Sequence, residues 1–250
     1  MRAIRWVLAA ALTAGTIGNA FAQSAGEWQF EVTPYLWGAG MKGDVQAGNL
    51  PRTHVDMGFA DILENLDFGI MGALEARKGR WGFLLDAIYM KVSDAGTASQ
   101  GPLSVTADAT FKQKMFAGAV AYRLSDGPTL VDLIGGARYS KLRVKAVIDA
   151  SLFGLAGRTE RIANTSWTDG YVGVRLQTPI ADRWTLVGYG DVGAGGSDST
   201  WQAAVGAQYD YSKDVAIKFG YRYLSVDYDK SGFLYDMDSA GVYVGAGLRF

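Results

Sequence analysis

The sequence predicts an all-β fold: a transmembrane antiparallel up-and-down β-barrel of ten strands, with eight as the alternative count. Three observations carry this. From residue 23 onward the chain alternates at period two between an apolar set and a mixed set, in about ten segments. Short polar turns and longer links alternate between the segments. Nowhere in this part is there an apolar run approaching the roughly 20 residues of a membrane-spanning helix. Composition agrees: Gly is frequent (33), Pro scarce (5), and Tyr and Trp plentiful (13 and 7), which suits twisted strands with aromatic ends.

The first residues read as an export signal. Arg2 and Arg5 make a basic start, Trp6 to Ile17 is apolar, and Ala20-Phe21-Ala22 presents the small-x-small pattern of a cleavage site. The expected organisation is a signal peptide over 1–22 and one barrel domain over 23–250, with no linker or low-complexity tail.

The segments follow in order. In the first, Trp28, Phe30, Val32 and Leu36 alternate with Gln29, Glu31 and Thr33. The second sets Phe68, Ile70, Leu74 and Ala76 against Glu75 and Arg77, and the third sets Trp81, Phe83, Leu85, Ala87 and Tyr89 against Asp86. The fourth, over 103–123, has no clear register, as a bulge would produce. The fifth opposes Val131, Leu133, Ala137 and Tyr139 to Asp132 and Arg138; the sixth opposes Val172, Val174 and Leu176 to Asp169, Tyr171, Arg175 and Gln177. In the seventh, Trp184, Leu186 and Val192 face away from Tyr189 and Asp191; in the eighth, Trp201, Ala203, Val205, Ala207 and Tyr209 face away from Gln202, Gln208 and Asp210. The ninth opposes Ile217, Phe219, Tyr221 and Tyr223 to Lys218 and Arg222, and the last opposes Val242, Val244, Ala246, Leu248 and Phe250 to Tyr243 and Arg249.

Polar turns lie at 78–80, 125–128, 179–182 and 212–214, and longer links are expected at about 46–67, 95–102, 149–162, 194–200 and 229–237. This is the plan of a bacterial outer-membrane barrel with its short side in the periplasm, and an even strand count puts both ends there. Charge placement separates it from a soluble barrel with an inward apolar face. The charges crowd onto the mixed faces, and the apolar faces carry almost none in their middles; an unpaired charge costs about 2–4 kcal/mol at the midplane of a lipid face. Aromatic residues also mark both ends of the apolar faces, with Trp28, Trp81, Trp184 and Phe250 at the short-turn side and Tyr89, Tyr139, Trp201 and Tyr223 toward the loops.

The closing segment Gly241-Val-Tyr-Val-Gly-Ala-Gly-Leu-Arg-Phe250 resembles the final strand of small Gram-negative outer-membrane barrels, and Gly220 to Asp229 is similar to their penultimate strand. Pro34-Tyr-Leu-Trp-Gly38 and Asp61 to Phe68 are similar to stretches of uncharacterised members of that class. The resemblance spans the whole segment after the signal as an architecture. It implies export through the periplasm to the bacterial outer membrane, with outer-membrane lipid and lipopolysaccharide as surroundings. It also implies that the barrel assembly machinery reads the terminal Phe250. The oligomeric state is open.

Chemistry is sparse. There is no Cys, which excludes disulfides and thiolate sites. The formal net charge of -1, with no basic stripe, gives no nucleic-acid partner. His54, the single histidine, lies beside Asp56 in the first long link. Such a pair could activate water, as in outer-membrane proteases of this strand number, but no nucleophile or second acid pair accompanies it, and a solvated loop histidine is the plainer reading. Asp227, Asp229, Asp236 and Asp238 near Gly232 lack any calcium-loop spacing. No catalytic residue, metal site or cofactor is expected. Over 59–66, Phe59, Ile62, Leu63 and Leu66 form one amphipathic helical face, read as a cap over or into the barrel mouth, or as a helix at the lipid interface.

The remaining functional surface is the lumen. Alternation sends Glu31, Glu75, Asp86, Asp132, Asp169 and Asp191 inward, with Arg77, Arg138, Arg175, Lys218, Arg222 and Arg249. Barrels near eight strands are filled by side chains, and open channels come at about 16, so this mixture is expected to pair into a plug. The expected function is a non-enzymatic barrel, structural or a narrow, porin-like small-solute pore. The alternative is an outer-membrane hydrolase or lipid-modifying enzyme with a loop-side site.

Overall fold

The computed structural model of the protein describes residues 26–47, 51–100, 103–152, 155–230 and 232–250. The expected signal peptide lies outside the described residues. In chain order the elements are β1 (Gln29–Ala47), β2 (Thr53–Met57), α1 (Phe59–Glu64), β3 (Leu66–Lys78), β4 (Trp81–Gln100), β5 (Leu103–Asp126), β6 (Leu130–Leu152), β7 (Leu155–Ala181), β8 (Trp184–Gly195), β9 (Ser199–Asp210), β10 (Val215–Lys230) and β11 (Phe233–Arg249). Each wall strand pairs antiparallel with the next, and β11 closes on β1 from Glu31↔Arg249 upward. The wall is a ring of ten strands, β1 and β3 to β11, with β2 a short flap on β1. Pairing of β11 with β1 closes the ring, and hydrocarbon tolerates a free sheet edge only where protein covers it.

The apolar sets face outward. Leu36, Ile70, Leu85, Val172, Val192, Val205 and Val242 are all more than half exposed, as a lipid-facing surface requires. Trp28 packs near Phe83, Phe30 stacks on Phe250, and Trp184 meets Tyr209 at the end where the chain closes; Trp201 stacks on Tyr223 toward the opposite end. The turns on the side of the two barrel ends are tight, and Gly79 adopts φ +57° in the first of them.

The opposite side differs from expectation. The links at 95–102 and 149–162 are mostly strand, because β4 to β7 continue as tall hairpins of 20 to 27 residues per strand. The link at 229–237 is likewise the end of a tight hairpin, and β8 and β9, with 12 residues each, turn back over Gly196 to Asp198. The rim is therefore tall on one flank and low on the other. Among the described residues, the connection after β1 carries β2, which pairs with β1, and α1, which seats against β1. The fourth expected segment is one continuous strand, with a register shift between Arg123 and Ser125.

Candidate functional site

The interior divides at mid-height. The half nearer the tight turns holds charge; the half nearer the rim is apolar. Residue placement dictates both, because inward positions near the tight-turn ends carry Asp, Glu, Arg and Lys, whereas the inward positions higher up are Ile88, Met115, Leu142, Leu224, Val226 and Met237, all buried.

In the lower half Asp132 is the hub, 1% exposed. It accepts from Arg77 at 2.9 Å, from Arg123 at 2.9 Å and from Arg175 at 2.7 Å. Arg175 also grips Glu75 through both guanidinium nitrogens, at 2.7 and 2.8 Å, and Arg77 reaches Glu75 at 3.1 Å. Three cations thus surround two carboxylates, and the Arg77–Asp132 and Arg175–Glu75 pairs bridge strands far apart in sequence. Beside them Glu31 is held by Lys218 and by Arg249 at 2.9 Å, and Arg249 spans to Asp210 at 2.8 Å.

A second tier lies above. Arg138 donates to Asp191 at 2.7 Å and to the Thr200 hydroxyl at 3.2 Å, and its guanidinium sits 4.8 Å from the centroid of the Tyr171 ring. The Tyr189 hydroxyl donates to the same Asp191 at 2.6 Å. Arg222 pairs with Asp86 at 3.1 Å, donates to Gln202 at 2.6 Å, and lies 4.8 Å from the Trp37 ring centroid. Tyr35 completes this set, donating to Asp86 at 2.6 Å. Charge-assisted bonds of this length are the strong ones. Between the tiers lies a cavity of about 270 Å³, lined by Glu75, Asp86, Arg138, Arg175 and Arg222 among others.

Of the twelve charges that alternation sends inward, eleven meet an opposite charge inside the barrel. The exception is Asp169, expected in the ion network: it accepts from the Ser197 backbone amide at 2.7 Å and so pins the turn between β8 and β9. Its ladder partner Arg138 turns to Asp191 instead. Sequence reasoning missed Arg123, because the register shift after it blurs the alternation, and missed Tyr35; it put Tyr171, Tyr189 and Gln202 on the inward faces but gave these neutral side chains no part in the network. The expected plug of charges also underdescribes the lumen, whose rim half is an apolar cluster around Met41, Trp167, Tyr228, Phe233 and Tyr235.

The loop-side candidates are exposed. His54 meets Asp44 at 2.9 Å rather than Asp56, which pairs with Lys42. The Arg52 and His54 hydrogen bonds hold the Asp44 carboxyl below the usual range. Asp227 and Asp236 oppose one another across β10 and β11, and among the described residues no group of three or more metal-ligating side chains forms. The helical face of 59–66 is α1, with Ile62 turned in and buried, while Phe59 and Leu63 remain exposed. It lies in the wall rather than over the mouth.

No protein-family model matches the sequence, and no curated protein is similar to it at a significant level. Solved structures are similar. The outer membrane protease OmpT from Escherichia coli superposes with a TM-score of 0.53 at 10% identity, over 90% of this chain and 96% of that one. Ail, the attachment invasion locus protein of Yersinia pestis, gives a TM-score of 0.34 at 15% identity over 90% and 99%. At such identity the OmpT likeness establishes fold alone: this chain has the closed antiparallel β-barrel fold found in small outer-membrane proteins.

Proposed function

We propose that the chain is a non-enzymatic integral outer-membrane barrel with a closed lumen, structural or at most a narrow path for small solutes. One observation carries this reading: inward side chains meet one another at both levels of the interior. Paired charges link strands in the lower half, and buried apolar side chains cluster in the upper half. A ten-stranded ring is close to the size that side chains fill without help. Mixed signs suit cohesion, whereas selective conduction calls for one sign.

The same reading has the chain cross the periplasm after losing residues 1–22, insert with the barrel assembly machinery, and stand among outer-membrane lipid and lipopolysaccharide. The rival, a loop-side hydrolase or lipid-modifying enzyme, would use the exposed His54 and Asp44. A nucleophile or second acid pair within hydrogen-bond reach is what a hydrolytic site there would need.

Single-channel recording of the refolded protein tests the proposal. The expected result is no steady conductance. A well-defined open state in the unmodified protein would overturn it, and turnover of lipopolysaccharide or peptide substrates would install the rival.

A further inference from the structure

The barrel wall is not one continuous ladder. On the edge of β1 that faces β3, residues 29–34 pair with β3 and residues 41–45 with β2, while the six residues 35–40 pair with neither. Residues 66–71 of β3 pair with β4 alone. At about 3.3 Å per residue, this leaves roughly 20 Å of strand edge unzipped. Unpaired backbone facing hydrocarbon is costly, so such a gap persists only where protein covers it.

The cover is α1. The Phe59 ring lies on Gly38, where a Cβ would come within 3.2 Å of it, and the Met57 carbonyl lies 2.9 Å from where a Cβ on Gly40 would be. These two glycines let the segment seat in the wall. Phe59 and Leu63 then continue the lipid-facing surface, 46% and 54% exposed, beside Leu36 at 67%.

Behind this cover is a cavity of about 130 Å³. Leu36, Phe59 and Leu63 stand at its lipid end, and Met71, Ile88 and Met115 at its lumen end. None of the lining side chains is charged. Trp37 forms part of the lining, and Arg222 of the charged half lies 4.8 Å from the centroid of that ring. The cavity therefore reaches from the lipid face to the lumen side of the wall, lined by apolar side chains with Gln113 and Ser239 among them, and the second tier of charges begins beyond Trp37.

We propose that this passage binds the hydrocarbon chain of an amphiphile that enters sideways from the loop-side half of the bilayer, between β1 and β3 and under α1. Apolar cavities of about this size, roughly 150 Å³, stay dry and take up a benzene-sized ligand, so the passage accepts a chain segment and leaves a headgroup outside. Methionine at the inner end adapts its shape to such a guest. The site rests on the membrane-spanning fold and not on a closed lumen, so a conducting channel would leave it standing.

The test uses proteins retaining a single tryptophan, either Trp37 or Trp167, the others being replaced by Phe. Trp167 is an interior control, buried against Tyr228 and not in the passage lining. In vesicles of phosphatidylcholine with brominated acyl chains, Trp37 fluorescence is expected to be quenched and Trp167 fluorescence spared. Gly69→Leu fills the passage, since a Cβ there meets only ordinary contacts at 3.7 Å, and is expected to abolish the quenching of Trp37. A second arm adds brominated fatty acid to vesicles of plain lipid. Quenching in the first arm alone assigns a membrane lipid as the guest; quenching in the second assigns a free amphiphile. Trp37 quenched no more than Trp167 in both arms, or quenched equally with Gly69→Leu, overturns the site. If the multiply substituted proteins fail to fold, native mass spectrometry of the protein and of Gly69→Leu decides instead: an alkyl-chain adduct lost in the variant supports the site, and identical spectra overturn it.

Discussion

Arg138 and Asp191 meet at 2.7 Å with side chains 3% and 0% exposed. Removing one member of such a pair leaves the other charged and buried, which costs about 3–5 kcal/mol, less where water in the adjoining cavity reaches it. Arg138→Ala is expected to lower the urea midpoint of the vesicle-reconstituted barrel accordingly; an unchanged midpoint would mean the pair adds nothing. Asp227, at the rim, behaves in the opposite sense. Burial, and then the carboxylates of Asp236, Asp198 and Asp229, raise its pKa. A carboxyl raised on folding binds its proton more tightly in the folded state. Its contribution is therefore fully present below the unfolded pKa and is lost as pH rises through the folded value. Asp227→Asn is expected to slow amide exchange at the rim end of β10 and β11 at neutral pH, with the difference vanishing in acid. Equal exchange at both pH values would refute the raised carboxyl. At this scale alternation was enough to point twelve charges inward, since a strand side chain has only two faces to choose from. It could not select partners: Arg138 leaves its ladder neighbour Asp169 for Asp191, two strands away from its own, and that choice exists only once the sheet closes.

Among the elements, β11 carries the clearest sequence signature, and closure explains its demands. Its outward set Val242, Val244 and Leu248 is 64%, 52% and 45% exposed, and Phe250, the residue after it, pairs with Phe30 through two backbone bonds, at 3.0 and 3.1 Å. Leu248→Asp places a carboxylate on the lipid face while leaving that pairing untouched, and deleting Phe250 removes the pairing together with the ring stacked on Phe30 at the end of that face. Both are expected to reduce folded barrel in outer-membrane fractions, read as heat-modifiable migration in gels. Normal yield from the deletion would release Phe250 from any role in assembly. The strands were legible where one face meets lipid and the other meets the lumen. Above the membrane that contrast is gone, so the upper reaches of β4, β6 and β7 looked like loops although they continue as hairpins. The seam between β1 and β3 was not legible at all, because which edges pair is a property of the closed sheet. Only its cover showed in advance, through the spacing of Phe59, Ile62, Leu63 and Leu66.

For the molecule as a whole, a lumen closed as proposed has its two halves acting in series, which makes the closed state testable in a graded way. In the proposed closed lumen, the ionic tiers near the tight turns oppose charge movement by pairing, and the apolar cluster near the rim opposes it by excluding water. Removing one barrier leaves the other. A first variant neutralises the hub with Glu75→Gln, Asp132→Asn, Arg77→Gln, Arg123→Gln and Arg175→Gln; replacing a buried ion cluster by uncharged groups of similar size avoids the penalty of a stranded charge. A second trims the upper layer with Met115→Ala, Leu142→Ala and Met237→Ala, each costing about 2–5 kcal/mol. Neither alone is expected to conduct in planar bilayers, and their combination is expected to show discrete openings, provided it still migrates as a folded barrel. Conductance in the neutralised variant by itself would make the charges the sole barrier and the apolar cluster a passive lining. Conductance in the trimmed variant by itself would reverse those roles.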